Sequence, residues 1–375
     1  MRGSRTPPET RRLRPLKGRR EAAAASATIR EVARAADVSV ATVSRVLNGK
    51  GPVREVTSRR VRAAAAGLRY VPHSGARSLI TRRTNAIGVL MPDLFGEFFS
   101  EAIRGIDRAA RGAGYQLLVS GSHGDRAQAQ TALRSMRGRV DGLIVMSPSV
   151  DGPTLNANLP EGWPVMLLNC AVDGSAFDSI NIDNEGGAAA MVRHLAGLGH
   201  RRIAHVTGPA DNWDARERLR GYRRAVLAGG GRDARALEVP GDFTEESGYR
   251  AAALVIGMRP RPTAIFAAND SMAIGLLSAF QEMGVGVPGD IAVGGFDDIP
   301  IARFMTPPLS SVAVSIADLG ARATKRLLAA LKDGSRHVPC HETLPTRVVA
   351  RGSSGSRSPK PPSPSRHSHT RRKDP

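Results

Sequence analysis

From Ala86 onward the chain alternates short apolar runs with helical stretches, and this alternation restricts the fold more than any other feature. The runs AIGVLMP, YQLLVSG, DGLIVMS and PVMLLNC are strand length and almost continuously apolar, as expected of strands covered on both faces. Helical patterns at Phe98 to Arg111 and Ala127 to Arg137 separate them. Strand followed by helix followed by strand implies parallel pairing, with helices on both faces of the sheet. A second series comprises RIAHVTGP, a helix Ala215 to Ala228, TAIFAAND, a helix Met272 to Met283 and DIAVGGFDD. Two series predict two α/β lobes, completed by a helix from about Ala317 to Leu331 and a last strand near Leu344 to Ala350. A ligand would bind in the crevice outside the carboxyl ends of the strands.

Before this body, TIREVARAADVSVATVSRVLN (28–48) reads as two short helices around a tight break. Thr28 with Glu31 three residues on is a capping box, and Ile29, Val32, Ala33 and Ala36 share one helical face. Asp37 occupies the turn, and Ser39 caps a second helix bearing Val40, Val43, Val46 and Leu47. This is a helix-turn-helix pattern, whose second helix enters the major groove of DNA; an ordinary α-hairpin in a helical core fits the same spacing. A third helix from about Thr57 to Gly67, with Val61, Ala64, Ala65 and Leu68 on its apolar face, would bury these against Val32, Val43 and Leu47.

The net charge of +20 points to a polyanionic partner, nucleic acid before an anionic membrane. Much of the excess lies at the ends, in Arg2, Arg5, Arg11 and Arg12 and again in Arg357, Lys360 and Arg366, among Pro, Ser and Gly, so both ends read as disordered tails. No apolar run is long enough for a membrane span, and the basic N-terminus lacks the apolar stretch of a secretory signal, so a cytoplasmic location is expected. Cys170 and Cys340 have no metal-ligand spacing and are expected as buried free thiols. No metal and no cofactor is expected.

ATVSRVLN, the spaced helix ending in LRYVP, and the following ARSL make the chain resemble the lac repressor (LacI) family of bacterial transcription regulators, from Thr28 to about Ser354. The resemblance implies a multidomain chain: an all-α helix-turn-helix DNA-binding domain, then an α/β, periplasmic-binding-protein-like body of two lobes with a small-molecule effector between them. The chain would cross between the lobes more than once. The implied organisation is a basic extension over 1–27, the DNA-binding domain over 28–72, a hinge over 73–84, the effector-binding and dimerisation body over 85–354, and a basic tail over 355–375. In that family the segment matching Ser74 to Ile80 becomes helical on operator DNA, and a leucine at the position of Leu79 wedges into the minor groove. Such an insertion unstacks and kinks the duplex. Gly75 lowers the intrinsic helicity of this segment by about 1 kcal/mol relative to alanine, which favours a hinge that orders only when bound. A plain linker is the other reading.

Within the recognition helix, Arg45 can donate two hydrogen bonds to a guanine, a contact worth about 1–3 kcal/mol of discrimination; a phosphate contact or a solvated arginine is the other reading. Val40 and Ala41 match the positions that vary with operator sequence in the family, and being small and apolar they suit thymine methyls. Ser39 and Thr42 begin the helix, and Thr42, Ser44, Asn48 and Tyr70 suit phosphates, which position without reading sequence. For the effector, Asp93, Asn269 and Asp297 stand at or just beyond strand ends, with Arg218 on a helix of the second lobe. Carboxylate, amide and guanidinium facing one cleft suit a sugar, whose hydroxyls both donate and accept. Phe98, Phe99 and Phe243 offer apolar faces. In the resembled family the positions of Arg218, Asn269 and Asp297 contact ligand, and that of Phe243 often carries an aromatic.

No P-loop, nucleophile elbow or metal-binding histidine cluster is present, so an enzyme is not expected. The expected protein is a repressor that binds near-palindromic double-stranded DNA as a homodimer under control of a carbohydrate. The proline-bearing C-terminal tail excludes the heptad helix that makes some relatives tetramers. A sugar-binding or sugar-modifying protein with a helical appendage, and a nonspecific architectural DNA-binding protein, are the alternatives.

Overall fold

The computed structural model describes residues 27–49, 51–71, 83–147, 150–170, 177–229 and 237–355. Leu79, with most of the expected hinge and of both basic tails, lies outside the described residues. The chain divides into two compact units, residues 1–82 and 83–375, a boundary inside the segment expected as the hinge.

The first unit contains α1 (Ile29–Ala35), α2 (Val40–Asn48) and α3 (Glu55–Gly67). The capping box forms: Glu31 N donates to Thr28 Oγ1 at 3.3 Å and Thr28 N donates to Glu31 Oε2 at 2.6 Å. Asp37 takes φ +47° in the turn, a conformation Asp tolerates better than most side chains. The core is Val32, Ala33, Ala36, Val43, Val46, Val61 and Ala65, with Leu47 and Ala64 partly buried against it. Leu68 does not join it and is 39% exposed. It is the C-cap of α3, after which Arg69 turns at φ +48° and Tyr70 packs on the core instead. The third helix also begins two residues earlier than its sequence pattern suggests.

The second unit holds twelve strands among the described residues. The first series is β1 (Ala86–Met91), β2 (Gln116–Gly121), β3 (Gly142–Val145), β4 (Val165–Leu168) and β5 (Asp178–Ile182). The second is β6 (Ile203–Val206), β7 (Glu238–Val239), β8 (Ala264–Ala267), β9 (Ala292–Asp297) and β10 (Ser310–Ala313), followed by β11 (His341–Leu344) and β12 (Arg347–Val349). They form two sheets, ordered β11-β5-β4-β3-β1-β2 and β12-β10-β9-β8-β6-β7. Each series therefore has the doubly wound order 2-1-3-4-5, which reverses direction beside its first strand. All pairings are parallel except β10 with β12.

The intervening helices are α4 (Glu97–Gly112), α5 (Arg126–Met136), α6 (Gly152–Asn158), α7 (Asn184–Gly197), α8 (Trp213–Ala228), α9 (Glu245–Gly257), α10 (Asp270–Glu282) and α11 (Ile316–Asp333). Their placement explains why the strands are apolar throughout. Ile87, Val89 and Met91 pack in a cluster with Ala102 and Ile106 of α4 and Leu319 and Ala323 of α11. Leu90, Leu143 and Val145 pack in another with Leu133 of α5 and Leu155 of α6. Helices α4 and α11 touch backbone to backbone: a Cβ added at Gly105 would meet Ala317 O at 1.9 Å, and one at Gly320 would meet Ala102 O at 2.4 Å.

The single last strand expected near 344–350 is in fact two, β11 in the first sheet and β12 in the second. Only their hydrogen-bond partners reveal this: Thr343 aligns with Asn181 in parallel, whereas Val348 aligns with Val312 in antiparallel fashion. The strands change sheet three times, between β5 and β6, β10 and β11, and β11 and β12. Cys170 is buried, but Cys340 is exposed, contrary to expectation, because it enters β11 at the sheet edge, held by its backbone N–H to Asp178 Oδ1 at 2.9 Å. Among the described residues no helix is long and apolar enough to cross a membrane.

Candidate functional site

In the first unit, α2 buries Val43 and Val46 and leaves its opposite face open. Val40 is 41% exposed, and Ser39, Ala41, Arg45 and Asn48 are exposed with it. Ala41, Arg45 and Asn48 recur at the spacing that stacks side chains along one side of a helix. Ser39 Oγ accepts from Thr42 N at 3.1 Å, and its hydroxyl pairs with Thr42 Oγ1 at 2.9 Å. Asn48 Nδ2 donates to Ser44 Oγ at 3.2 Å. The polar groups expected at phosphates are thus already oriented by one another, while Arg45 projects from the exposed side. Tyr70 rests its ring against the helical core.

In the second unit, Asp93, Phe99, Arg218, Phe243, Asn269 and Asp297 all line one cavity of about 650 Å³. It lies where a doubly wound pair of sheets places a ligand, since its walls follow the carboxyl ends of β1 to β4 and of β6 to β9. Phe98 and Phe99 both line it and both also pack on the core, with ring centroids 5.5 Å apart and nearly perpendicular.

Arg218 is the centre of the polar wall. Only 4% exposed, its guanidinium donates to Asn184 Oδ1 at 2.8 Å, Ala268 O at 2.6 Å and Asp297 Oδ1 at 3.1 Å. It lies 3.8 Å from the Phe296 ring centroid and 5.8 Å from that of Phe243. A buried cation must be bonded and paired in this way to offset its lost hydration. Asn184 continues the chain by donating from Nδ2 to Asp214 Oδ1 at 2.8 Å. Burial pushes the carboxyls of Asp297 and Asp214 up to about 6, with Arg218 pulling each the other way. Asp270, wholly buried behind them, is raised well above the usual carboxylate range by burial and by Asp297. It accepts from Ser311 Oγ at 2.6 Å and Ile299 N at 2.9 Å, so it braces the floor of the site.

Other expected residues have structural duties beside their place in the wall. Asn269 caps α10, accepting from Met272 N at 3.0 Å and donating to Phe243 O at 2.9 Å. Asp93 accepts from Leu94 N and Phe95 N at 2.6 and 3.1 Å, shaping the turn after β1. Asp298 pairs with Arg351 at 2.7 Å and does not line the cavity.

Asn169 carries no motif of its own in the sequence, although it directly follows β4 as Asp93 and Asn269 stand just beyond theirs. It lines the cavity and is 6% exposed. Ile182 N donates to its Oδ1 at 3.0 Å, which fixes the orientation of the amide, and its Nδ2 has no partner among the described residues. A buried donor left open costs about 1–3 kcal/mol, so a ligand oxygen is its natural acceptor. Backbone strain gathers here too. Of the eight non-glycine residues at positive φ among the described residues, His123, Asn169, Phe243 and Asp297 line this cavity, at +49°, +46°, +73° and +110°. Such conformations persist where the surrounding structure imposes them, and they cluster at binding sites.

A helix-turn-helix unit and a two-lobed body with a cavity at its strand ends define a ligand-responsive DNA-binding protein. Comparison with known proteins agrees: residues 28–73 match the family described as "Bacterial regulatory proteins, lacI family", and residues 192–354 match the periplasmic binding protein-like domain. The chain is 35% identical over 325 residues to the HTH-type transcriptional repressor PurR of Photobacterium profundum, covering 86% of this chain and 97% of the relative. It is 37% identical over 305 residues to the ribose operon repressor of Escherichia coli, covering 80% and 92%. Its structure superposes on the lac repressor dimer bound to operator and the anti-inducer ONPF with a TM-score of 0.79 at 30% identity, covering 88% and 99%. The chain belongs to the lacI family of bacterial regulatory proteins. It is a DNA-binding transcriptional regulator controlled by a small-molecule effector, and not an enzyme.

Proposed function

We propose that this protein is a homodimeric repressor whose hold on a near-palindromic operator is set by a carbohydrate in the cavity of its body. Two protomers would seat their α2 helices in successive major grooves about one helical turn apart. Arg45 reads a guanine; Val40 and Ala41 pack on base edges; Ser39, Thr42, Ser44, Asn48 and Tyr70 hold the backbone; Leu79 wedges into the minor groove. Asp93, Phe99, Arg218, Phe243, Asn269 and Asp297 hold the effector, with Asn169 added to that set.

The observation that carries the carbohydrate reading is the pairing of fixed donors, Asn169 Nδ2 and Arg218, with the carboxylates of Asp214 and Asp297 around one space of about 650 Å³. Sugar hydroxyls satisfy donors and acceptors at once. Similarity to a ribose operon repressor supports the same class. A nucleoside is the second reading, favoured by Phe95, Phe98, Phe99, Trp213 and Phe243 in the walls. Thermal-shift screening of sugars and nucleosides separates the two, since a ligand at 100 times its Kd stabilises by about 2.7 kcal/mol. For the output end, Leu79→Ala is expected to weaken operator binding and leave effector affinity unchanged; operator affinity equal to wild type would remove the wedge role.

A further inference from the structure

We infer that the cavity accepts an uncharged polyol and rejects phosphorylated or carboxylated ligands, a refinement that rests on the carbohydrate reading above. Four helices begin at this cavity, α4, α8, α9 and α10. A helix N-terminus ordinarily favours an anion, because its free N–H groups and the aligned peptide dipoles present partial positive charge. Here that capacity is already used within the protein. Three of the four carry an acid that both sits in the first turn and lines the cavity: Glu97 in α4, Asp214 in α8, and Glu245 and Glu246 in α9. Helices α8, α9 and α10 are also capped by side chains, Asn212 accepting from Ala215 N, Thr244 from Ser247 N and Asn269 from Met272 N.

Asp93, Asp242 and Asp297 add to the acidic lining, whereas Arg218 is the one Lys or Arg among the described residues that line it, and Asp297 already engages that guanidinium. This balance opposes that of the chain, which carries +20 overall. Even with their carboxyls raised to about 6, Asp214 and Asp297 are ionised at neutral pH. A phosphate at that pH offers mainly acceptors and negative charge, and would face carboxylates that also only accept. A hydroxyl donates to those carboxylates and accepts from Asn169 Nδ2, a neutral donor lacking a partner among the described residues.

The test is isothermal titration calorimetry on the full chain with matched sets of three compounds: a free pentose or hexose, its phosphate monoester, and its acetate ester at the same hydroxyl. Titrations are run at about 0.05 M and about 0.5 M salt, where the Debye length falls several-fold. The phosphate ester is expected to bind at least about tenfold more weakly than the free sugar at low salt, with the gap narrowing at high salt. The acetate ester, of comparable bulk and no charge, is expected to bind more tightly than the phosphate. A phosphate ester that binds as tightly as its parent sugar overturns the charge selection and leaves the carbohydrate reading standing. Equal rejection of acetate and phosphate, insensitive to salt, also overturns it, by showing exclusion through size. Failure of every free sugar to bind overturns the carbohydrate reading and this inference with it.

Discussion

The two walls of the cavity are built on opposite plans. The wall from the first sheet sets Pro92, Phe95, Phe98, Phe99 and Met146 beside Asp93, Glu97 and His123, and its buried polar groups are Ser147 and the amide of Asn169, whose Nδ2 has no partner among the described residues. The wall from the second sheet is a closed network in which Arg218 is bonded to Asn184, Ala268 and Asp297 before any ligand arrives. A preorganised polar surface sets the orientation of a ligand, while apolar area supplies affinity through desolvation. On the proposed function, the second sheet orients the ligand and the first covers it. Glu97 Oε2 accepting from Ile301 N at 3.0 Å already ties the two together at the rim. A ligand that engages Asn169 and Arg218 together would add to that tie, and so bias one arrangement of the lobes by its differential contact.

This contrast can be broken most directly at Arg218. Arg218→Ala leaves Asp297 buried without its cation and is expected to cost about 3–5 kcal/mol in stability of the body and to abolish the effector response. Urea unfolding and calorimetry check this, with operator binding retained by the folded protein; an unchanged midpoint would mean that the network is not rigid. Next in size is a pH effect. Because Asp297 has a folded pKa of about 6 against an ordinary 3.8, the folded state holds its proton more tightly than the unfolded chain. Stability is therefore expected to fall as pH rises from about 4 to about 6, by about 3 kcal/mol from this group. Asp242 and Asp151, whose carboxyls are lowered, act with the opposite sign. The comparison is therefore wild type against Asp297→Asn, in which that fall should disappear from the difference.

On the covering side, Asn169→Ala is expected to weaken sugar binding about tenfold and to cost about 1–3 kcal/mol in stability, because Ile182 N loses its acceptor. A stability loss as large as that of Arg218→Ala would erase the difference between the walls. The smallest effect belongs outside the cavity. Ser39→Ala removes the cap of α2 and is expected to destabilise the helical unit by about 1 kcal/mol and to lower operator affinity, with effector affinity unchanged by calorimetry.

Much of this was legible in the sequence because it rests on local rules. The capping box, the Ser39 cap and the alternating series each declare themselves within about a dozen residues, and the six residues proposed for the effector, three of them at strand ends, do share a cavity. Asn169 was missed although it obeys the same strand-end rule, because an asparagine before a cysteine carries no motif of its own. The two terminal strands are indistinguishable from one in the sequence because Thr343 and Val348 are alike in propensity, and only their partners, Asn181 and Val312, place them in different sheets. Helical spacing points Leu68 at the core, but spacing cannot register that the helix has ended one residue before it.

By itself, then, the sequence determined the helix pair, the two α/β series, the family and the residue types available for a sugar, because periodicity, capping and strand-end position are properties of neighbours along the chain. Only the tertiary structure decided that four helix N-termini, three of them with first-turn acids in the lining, converge on one space, that Arg218 is already engaged by Asp297, and that Asn169 keeps a donor open. The physical reason is that charge balance and hydrogen-bond satisfaction depend on distances between residues far apart in sequence, such as Arg218 and Asp297, and these do not exist until the sheets are assembled.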